Sequence, residues 1–357
     1  AGTESQKQLR PKLLRVVGSV AAGQMPDQEV VEGTAIRIMT GAPIPTGADT
    51  VVPFEETDEV ERRASGRPLD EIAILKEVPM EGNVRRAAED AAAGEVILSK
   101  GTVLRPSEIG VLASLGYNPA PVIRRPQVAI LSTGDELLEP SQPLESGRIY
   151  DSNSYGVAAL VTRYGGVPNV LGIAQDNLDS LNRMLDKGAT ADMLITSAGV
   201  SKGDYDMVKD VLADRGEMTF WSVRMRPAKP LAFGTMRGAK GRPIPHLGLP
   251  GNPVSAMVAF EEFVRPALLK MMGRANLEKP TVEAVLEEPI VNGDGRRVYA
   301  RVVVSKREGT YYARLTGSQE SNILTSMAKA NGLAICPDDV PLLKKGERVL
   351  VQMLDWN

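Results

Sequence analysis

Apolar and polar positions along this chain follow a short period at both ends and a helical period in the middle. Over residues 1–94 the stretch "EVVEGTAIRIMTGAPIPTGADTVVPFEETDEV" alternates apolar and polar side chains between Gly and Pro punctuation, which predicts short strands and turns. Residues 95–125 hold a short helical piece, "RPSEIGVLASLG", with Ser107 expected as N-cap and Gly116 as C-terminal stop. From 126 to 275 strands and helices take turns. "QVAILST", "NVLGIA" and "DMLITS" read as apolar strands. The helix after the first begins near Asp151 and keeps Val157, Leu160, Val161 and Tyr164 on one face. The second carries Leu178, Leu181 and Leu185, and the third Val208, Val211 and Leu212. "PLAFGTM" and "HLGLPG" follow as strands. A long helix then starts at Pro253, with Met257, Phe260, Val264, Leu268 and Met271 inward and a kink expected at Pro266. Residues 276–357 return to β texture in "RRVYARVVV", "YYARLTG", "GLAICP" and "ERVLVQML", with turns at Asn292-Gly293 and Asp294-Gly295.

Strict alternation of strand and helix argues for a central, mainly parallel sheet covered on both faces. The expected class is therefore multidomain α/β plus β, with a β-rich segment before the α/β domain and a small β-domain after it. Composition changes this picture only by exclusion. At 357 residues the chain exceeds one ordinary core, and 43% hydrophobic with 24% charged residues are values of a soluble globular protein. No apolar run approaches the ~20 residues of a membrane span, so no membrane role is expected. The sequence starts at Ala1 and not at Met, as a processed or truncated product does, and no signal-peptide pattern is visible in it.

Cys336 is the single cysteine, which excludes an internal disulfide framework and places the chain in a reducing, cytoplasmic setting. In "GLAICPDD" it reads as a buried strand residue. His246, the only histidine, stands without a Ser or Cys pattern and reads as structural, against a Ser-His-Asp hydrolase. Net charge is −3 and aromatics are 4%, a poor match to a nucleic-acid binder.

Chemistry is sought where an open parallel sheet binds ligands, beyond the carboxyl ends of its strands. The first strand end carries Asp135 and Glu136, the second Gln175 and Asp176, the third Gly199, Ser201, Gly203, Asp204 and Asp206. "RMRPAKP" offers Arg224, Arg226 and Lys229, and "LPGNPVSA" offers Asn252 as a cap, Pro253 and Ser255. Glycines and serines let backbone amides approach a phosphate, and Asp204 or Asp206 can hold a divalent cation that the phosphate also touches. Bland readings stand beside these: Asp206 as an N-cap, Glu136 as a first-turn acid, the basic run as a solvated face. Their gathering at one edge favours a site. Neither a Walker A loop nor a G-x-G-x-x-G after a strand is present.

Seven stretches, "GTAIRIMTGAPIPTGADTVVPFEET", "RRAAEDAAAGEVIL", "LSTGDELLEP", "GRIYDSNS", "TSAGVSKGDYD", "RPAKPLAFG" and "GLPGNPVSA", resemble the molybdopterin molybdenumtransferase family, of the MoeA and gephyrin E-domain type. The resemblance implies a central α/β domain of the molybdopterin-binding type. Around it are implied a β-rich N-terminal domain, a small helical linker domain and a C-terminal β-barrel, in a homodimer. It implies insertion of molybdate into adenylylated molybdopterin, with cleavage of the phosphoanhydride, release of AMP, and Mg2+ as the divalent cation. By the same resemblance Thr40, Asp90, Glu136, Asp176 and Asp206 are the catalytic set, and Glu136, Asp176 and Asp206 the metal ligands. Gly199, Ser201, Gly203, Arg226, Lys229, Pro250, Pro253, Ser255, Arg301 and Ser321 then bind substrate. The family's acidic D-x-S-A-x-D-G-Y-A segment, upstream of the β-rich stretch, has no match in this sequence, and Arg226 replaces a family lysine. Mixed acids and bases around anionic ligands require an intervening cation. The alternatives are a scaffold of the gephyrin E-domain type with reduced catalysis, and a molybdopterin adenylyltransferase.

Overall fold

A computed structural model describes residues 11–198, 210–211 and 214–356. The chain divides into two compact units, 1–99 and 100–357. In the first, β1 (Lys12–Val20) lies between β2 (Thr34–Ile38), parallel to it, and β3 (Glu71–Ile74), antiparallel. Little apolar surface is buried there, with Val20 and Ile72 the large side chains most enclosed. Ionic clamps compensate beside helix α1 (Glu59–Ala64). Asp58 accepts from the Ala73 amide at 2.8 Å and from Arg62 Nε at 2.7 Å, and Glu59 bridges Arg37 and Arg63.

The second unit opens with α2 (Pro106–Ser114). Its N-terminal residue is Arg105 and not the expected Ser107, because Pro106 occupies the first helical position and Glu108 reaches back to the Arg105 amide at 2.8 Å. Gly116 ends the helix at φ 77°, as read from the sequence.

The α/β domain is built on β4 (Gln127–Thr133), β5 (Val167–Ala174), β6 (Met193–Ser197), β7 (Gly216–Ser222), β8 (Pro230–Arg237) and β9 (Pro243–Leu249). Their order is β5-β4-β6-β9-β8-β7. The first four are mutually parallel, whereas β8 runs antiparallel to both β9 and β7. "MTFWS" in β7 was not read as a strand from its pattern. The seven residues from Val223 to Lys229 are too few for a parallel crossover, which takes a dozen or more, so β7 and β8 pair as a hairpin.

Helices α3 (Asn153–Arg163) and α4 (Leu178–Gly188) cover the sheet. Val157, Leu160 and Val161 are buried as expected; of the α4 stripe, Leu181 and Leu185 are buried while Leu178 stays 53% exposed. Asn177 caps α4 through Oδ1, accepting from the Ser180 amide at 2.8 Å, so Leu178 falls in the first turn outside the packed face. The long helix from Pro253 is α5 (Pro253–Ala259), a π-helical turn (Phe260–Val264) and α6 (Arg265–Met271). The wider turn directly before Pro266 takes up its missing N–H where a kink had been expected.

Strands β10 (Thr281–Leu286), β11 (Arg297–Arg307), β12 (Thr310–Leu315), β13 (Gly332–Cys336) and β14 (Arg348–Met353) close into a five-stranded barrel, ordered β11-β12-β10-β14-β13 and back to β11. Val302, Ala313, Ala334, Cys336 and Val351 fill its core. Cys336 is the buried strand residue expected. The barrel joins the α/β domain through one apolar cluster in which Tyr299, Met327 and Leu333 pack with Phe260, Val264 and Leu268. A bridge of Met225–Arg226 to Arg297–Val298 pins the β7–β8 turn to the barrel.

Candidate active site at the carboxyl edge of the sheet

Parallel strands β4, β5, β6 and β9 all end on one edge, at Thr133, Ala174, Ser197 and Leu249. Two antiparallel steps restore the direction in β7, so its end and the turn carrying Arg226 and Lys229 come to that same edge. Four of the five expected loops meet there among the described residues, and the basic loop arrives through a hairpin and not ahead of a fourth parallel strand.

The acidic side is formed by the first two loops. Gly134 has φ 143°, and a Cβ on it would stand 2.4 Å from Glu136 Oε2, so the carboxylate folds back over a position that only glycine leaves open. Asp135 Oδ1 accepts the Asp176 amide at 3.1 Å, which ties the two acidic loops together. Glu136 and Asp176 are both exposed. Among the described residues no group of three or more His, Cys, Asp or Glu side chains is arranged to hold a metal by itself. Mg2+ uses one or two carboxylates and completes its shell with water and phosphate oxygens, and two solvent-facing carboxylates on joined loops fit that mode.

The basic side lies between the sheet and the barrel. Arg226 donates to the Val291 carbonyl at 2.6 Å and faces Asp294 at 3.8 Å. Lys229 is exposed and makes no ion pair among the described residues. Arg301 is 1% exposed. Its guanidinium donates to Ser326 Oγ at 3.2 Å and to the carbonyls of Ser318 at 3.4 Å and Glu320 at 3.1 Å, holding the loop that carries Ser321. Burial pushes its pKa down to about 10, Glu320 opposes that shift, and the positive charge of Arg226 adds to it. No carboxylate lies within ion-pair distance of it among the described residues. Pro250 is buried, Pro253 begins α5, and Ser255 is buried in the first turn of that helix.

Asn252 does not cap α5 with its side chain. Instead the Ser321 carbonyl accepts the Val254 amide at 3.2 Å, and Asn252 Nδ2 donates to Ser321 Oγ at 3.1 Å. Asn153, which the sequence reading passed over inside "YDSNS", donates from Nδ2 to Ser197 Oγ at 2.7 Å and to the Gly251 carbonyl at 2.8 Å. Behind it Ser132 and Ser154 share a buried hydrogen bond of 2.9 Å. The signal available beforehand was three small polar residues opening a helix at a strand-end edge.

Glu136, Asp176, Arg226, Lys229, Pro250, Pro253, Ser255 and Ser321 thus come to one edge, with Arg301 beneath it. Thr40 and Asp90 belong to the first unit, both exposed, Thr40 in a turn and Asp90 in a bend. Gly199, Ser201, Gly203, Asp204 and Asp206 lie outside the described residues.

Three family models match the chain: the MoeA N-terminal region over residues 1–116, a probable molybdopterin binding domain over 129–270, and the MoeA C-terminal region over 283–354. Molybdopterin molybdenumtransferase 2 of Mycobacterium tuberculosis is 37% identical over 96% of this chain and 82% of that relative. The chain belongs to the molybdopterin molybdenumtransferase family. A Nostoc molybdopterin molybdenumtransferase is 39% identical over 97% of this chain and 78% of its own length. A solved molybdopterin biosynthesis MoeA protein from Pyrococcus horikoshii superposes with TM-score 0.78 at 30% identity, over 98% of this chain and 83% of that one. Membership makes the chain an enzyme of molybdenum cofactor biosynthesis, and it accounts for an α/β domain of molybdopterin-binding type joined to a closed barrel. Among the described residues no helix is long and apolar enough to cross a membrane.

Proposed function

We propose that this molybdopterin molybdenumtransferase inserts molybdate into adenylylated molybdopterin at the carboxyl edge of its α/β sheet, with release of AMP. The observation that carries the reading is Arg301, a buried cation with no carboxylate at ion-pair distance among the described residues, whose charge Glu320 supports and Arg226 disfavours. A buried guanidinium without a close carboxylate suits an anion at the neighbouring sheet edge. Arg226, Lys229, Ser255 and Ser321 would bind and orient the oxyanion and the substrate phosphates, as donors. Arg226 adds a planar fork where the family has a lysine, which suits an oxyanion.

Glu136 and Asp176, joined by Asp206 from the glycine loop, would hold Mg2+. When bound, that ion polarises the phosphoryl oxygens and offsets the repulsion between carboxylates and phosphate. Thr40 and Asp90 are proposed as further members of the catalytic set, and Gly199, Ser201 and Gly203 as the amide and hydroxyl lining for phosphate. A homodimer in a reducing, cytoplasmic compartment completes the reading; the lone, buried Cys336 suits it.

The test is to incubate the protein with adenylylated molybdopterin, Mg2+ and sodium molybdate and to follow AMP by chromatography. Molybdate-dependent AMP release is the expected result. Its absence overturns the reading, and ATP consumption that depends on molybdopterin would replace it with the adenylyltransferase alternative.

A further inference from the structure

Two asparagines, Asn153 beside the Pro250–Asn252 loop and Asn252 at its end, have no role in the function proposed above. Asn153 approaches from the start of α3, and its Nδ2 stands 2.8 Å from the Gly251 carbonyl and 2.7 Å from Ser197 Oγ. A carbonyl only accepts, so the nitrogen end of the amide must face it, and both amide hydrogens are then spent. Ser197 Oγ is therefore an acceptor in this pair, and its own proton is left over. No acceptor for that proton exists among the described residues. On the other side of the loop Asn252 Nδ2 meets Ser321 Oγ at 3.1 Å, and the Ser321 carbonyl is already engaged by the Val254 amide. Ser321 is held in the same manner, with its hydroxyl proton unspent. Ser197 is 3% exposed and Ser321 half-buried, so neither hydroxyl turns freely into bulk water.

We propose that Asn153 and Asn252 are positioning residues that fix the Pro250–Asn252 loop and present the hydroxyls of Ser197 and Ser321 as hydrogen-bond donors to molybdate. The inference rests on the molybdate-binding reading above and deepens it. A hydroxyl free to rotate can turn its proton anywhere; one that accepts from a fixed amide keeps a second lone pair, but its proton is directed away from that amide and is left to donate. Together with Arg226 and Lys229 the edge becomes a wall of donors. Such a wall suits an oxyanion that carries no proton at neutral pH, and it penalises one that retains an O–H, as inorganic phosphate does in part.

Calorimetric titration of the full chain with sodium molybdate, and separately with inorganic phosphate, tests this. Ser197→Ala and Ser321→Ala are each expected to weaken molybdate binding about 10-fold, the usual loss for one hydrogen bond. Asn153→Ala and Asn252→Ala should do the same alone, and should add less than about twofold in the background of their partner serine variant, because each acts through that serine. The serine variants should stay folded, with unfolding midpoints lowered only by the loss of the amide-to-hydroxyl hydrogen bond. Serine variants that bind molybdate as the wild type does overturn the proposal, whether or not the asparagine variants fold. So do fully additive losses in the double variants, or losses confined to phosphate. A wild-type protein that binds no molybdate refutes the functional reading as well, whereas the other negative results refute the positioning role alone.

Discussion

Replacing Arg301 by methionine separates a residue kept for its charge from one kept for its packing. The side chain is 1% exposed and its pKa is pushed down to about 10 from the usual arginine range, chiefly by burial. Holding the cation there at neutral pH costs about 3 kcal/mol, taking 1.36 kcal/mol per tenfold change in proton affinity. Against this stand three hydrogen bonds, to Ser326 Oγ and the Ser318 and Glu320 carbonyls, contributing about 1 kcal/mol each. The two contributions cancel to within a kcal/mol or so. Removing one partner of a buried ion pair usually costs about 3–5 kcal/mol, because the other charge is stranded. Removing Arg301 strands no carboxylate at ion-pair distance among the described residues, and the Ser318 and Glu320 carbonyls it releases belong to exposed residues that water can reach. The Ser318–Ser321 loop also keeps an independent tie, since Gln319 Oε1 accepts the Arg301 amide at 2.8 Å and Gln319 Nε2 donates to the Arg301 carbonyl at 3.2 Å. Arg301→Met should therefore change the urea-derived unfolding free energy by no more than about 1 kcal/mol. Molybdate affinity by calorimetry should fall about 10-fold or more, as expected on losing a charge-assisted donor. A variant destabilised by 3 kcal/mol or more that binds molybdate normally would show that the guanidinium serves the fold, and the reasoning would fail.

Two further outcomes follow from single residues. His246 is fully buried beside Thr196 Oγ1, 3.0 Å from Nε2, and burial pushes its pKa from 6.5 down to about 3. The unfolded chain takes up the proton first as pH falls, so stability is whole above pH 6.5 and declines from there toward pH 3. The decline between pH 7 and pH 5 should be about 2 kcal/mol. As this is the only histidine, His246→Gln should flatten the urea midpoint over that range, and an unchanged slope would refute the assignment. Gly134→Ala puts a methyl 2.4 Å from Glu136 Oε2, so the carboxylate must swing away, and it forces alanine to φ 143°. Mg2+-dependent AMP release should fall about 10- to 100-fold at saturating molybdate, since displacing one ligand by an ångström has that effect. An unaltered rate would remove Glu136 from the proposed metal set.

Much of the architecture was legible in one dimension. The runs at 127–133, 193–197 and 243–249 are largely apolar and almost wholly buried because these strands are covered on both faces, and the α3 stripe is apolar because one side of that helix meets the sheet. The acidic and basic loops could be named in advance, since a parallel strand-helix alternation forces its loops to one edge. What the pattern missed was local competition for partners. Ser107 and Asn252 look like caps, but the Ile109 amide goes to the Arg105 carbonyl within the helix, and the Ser321 carbonyl took the Val254 amide. "MTFWS" did not alternate enough to announce an edge strand, because Trp221 and Phe220 are not separated by a polar residue.

The order and kind of elements, the break into domains and the residue types at each strand end belong to the sequence, because burial on one face is written into each segment by its own periodicity. The antiparallel turn of β8, the seat of Arg301 under the Ser321 loop and the reach of Asn153 to Gly251, 98 positions along the chain, belong to the tertiary structure. A hydrogen bond needs its two atoms about 3 Å apart and aligned. No periodicity in a sequence encodes which distant donor will arrive at that distance.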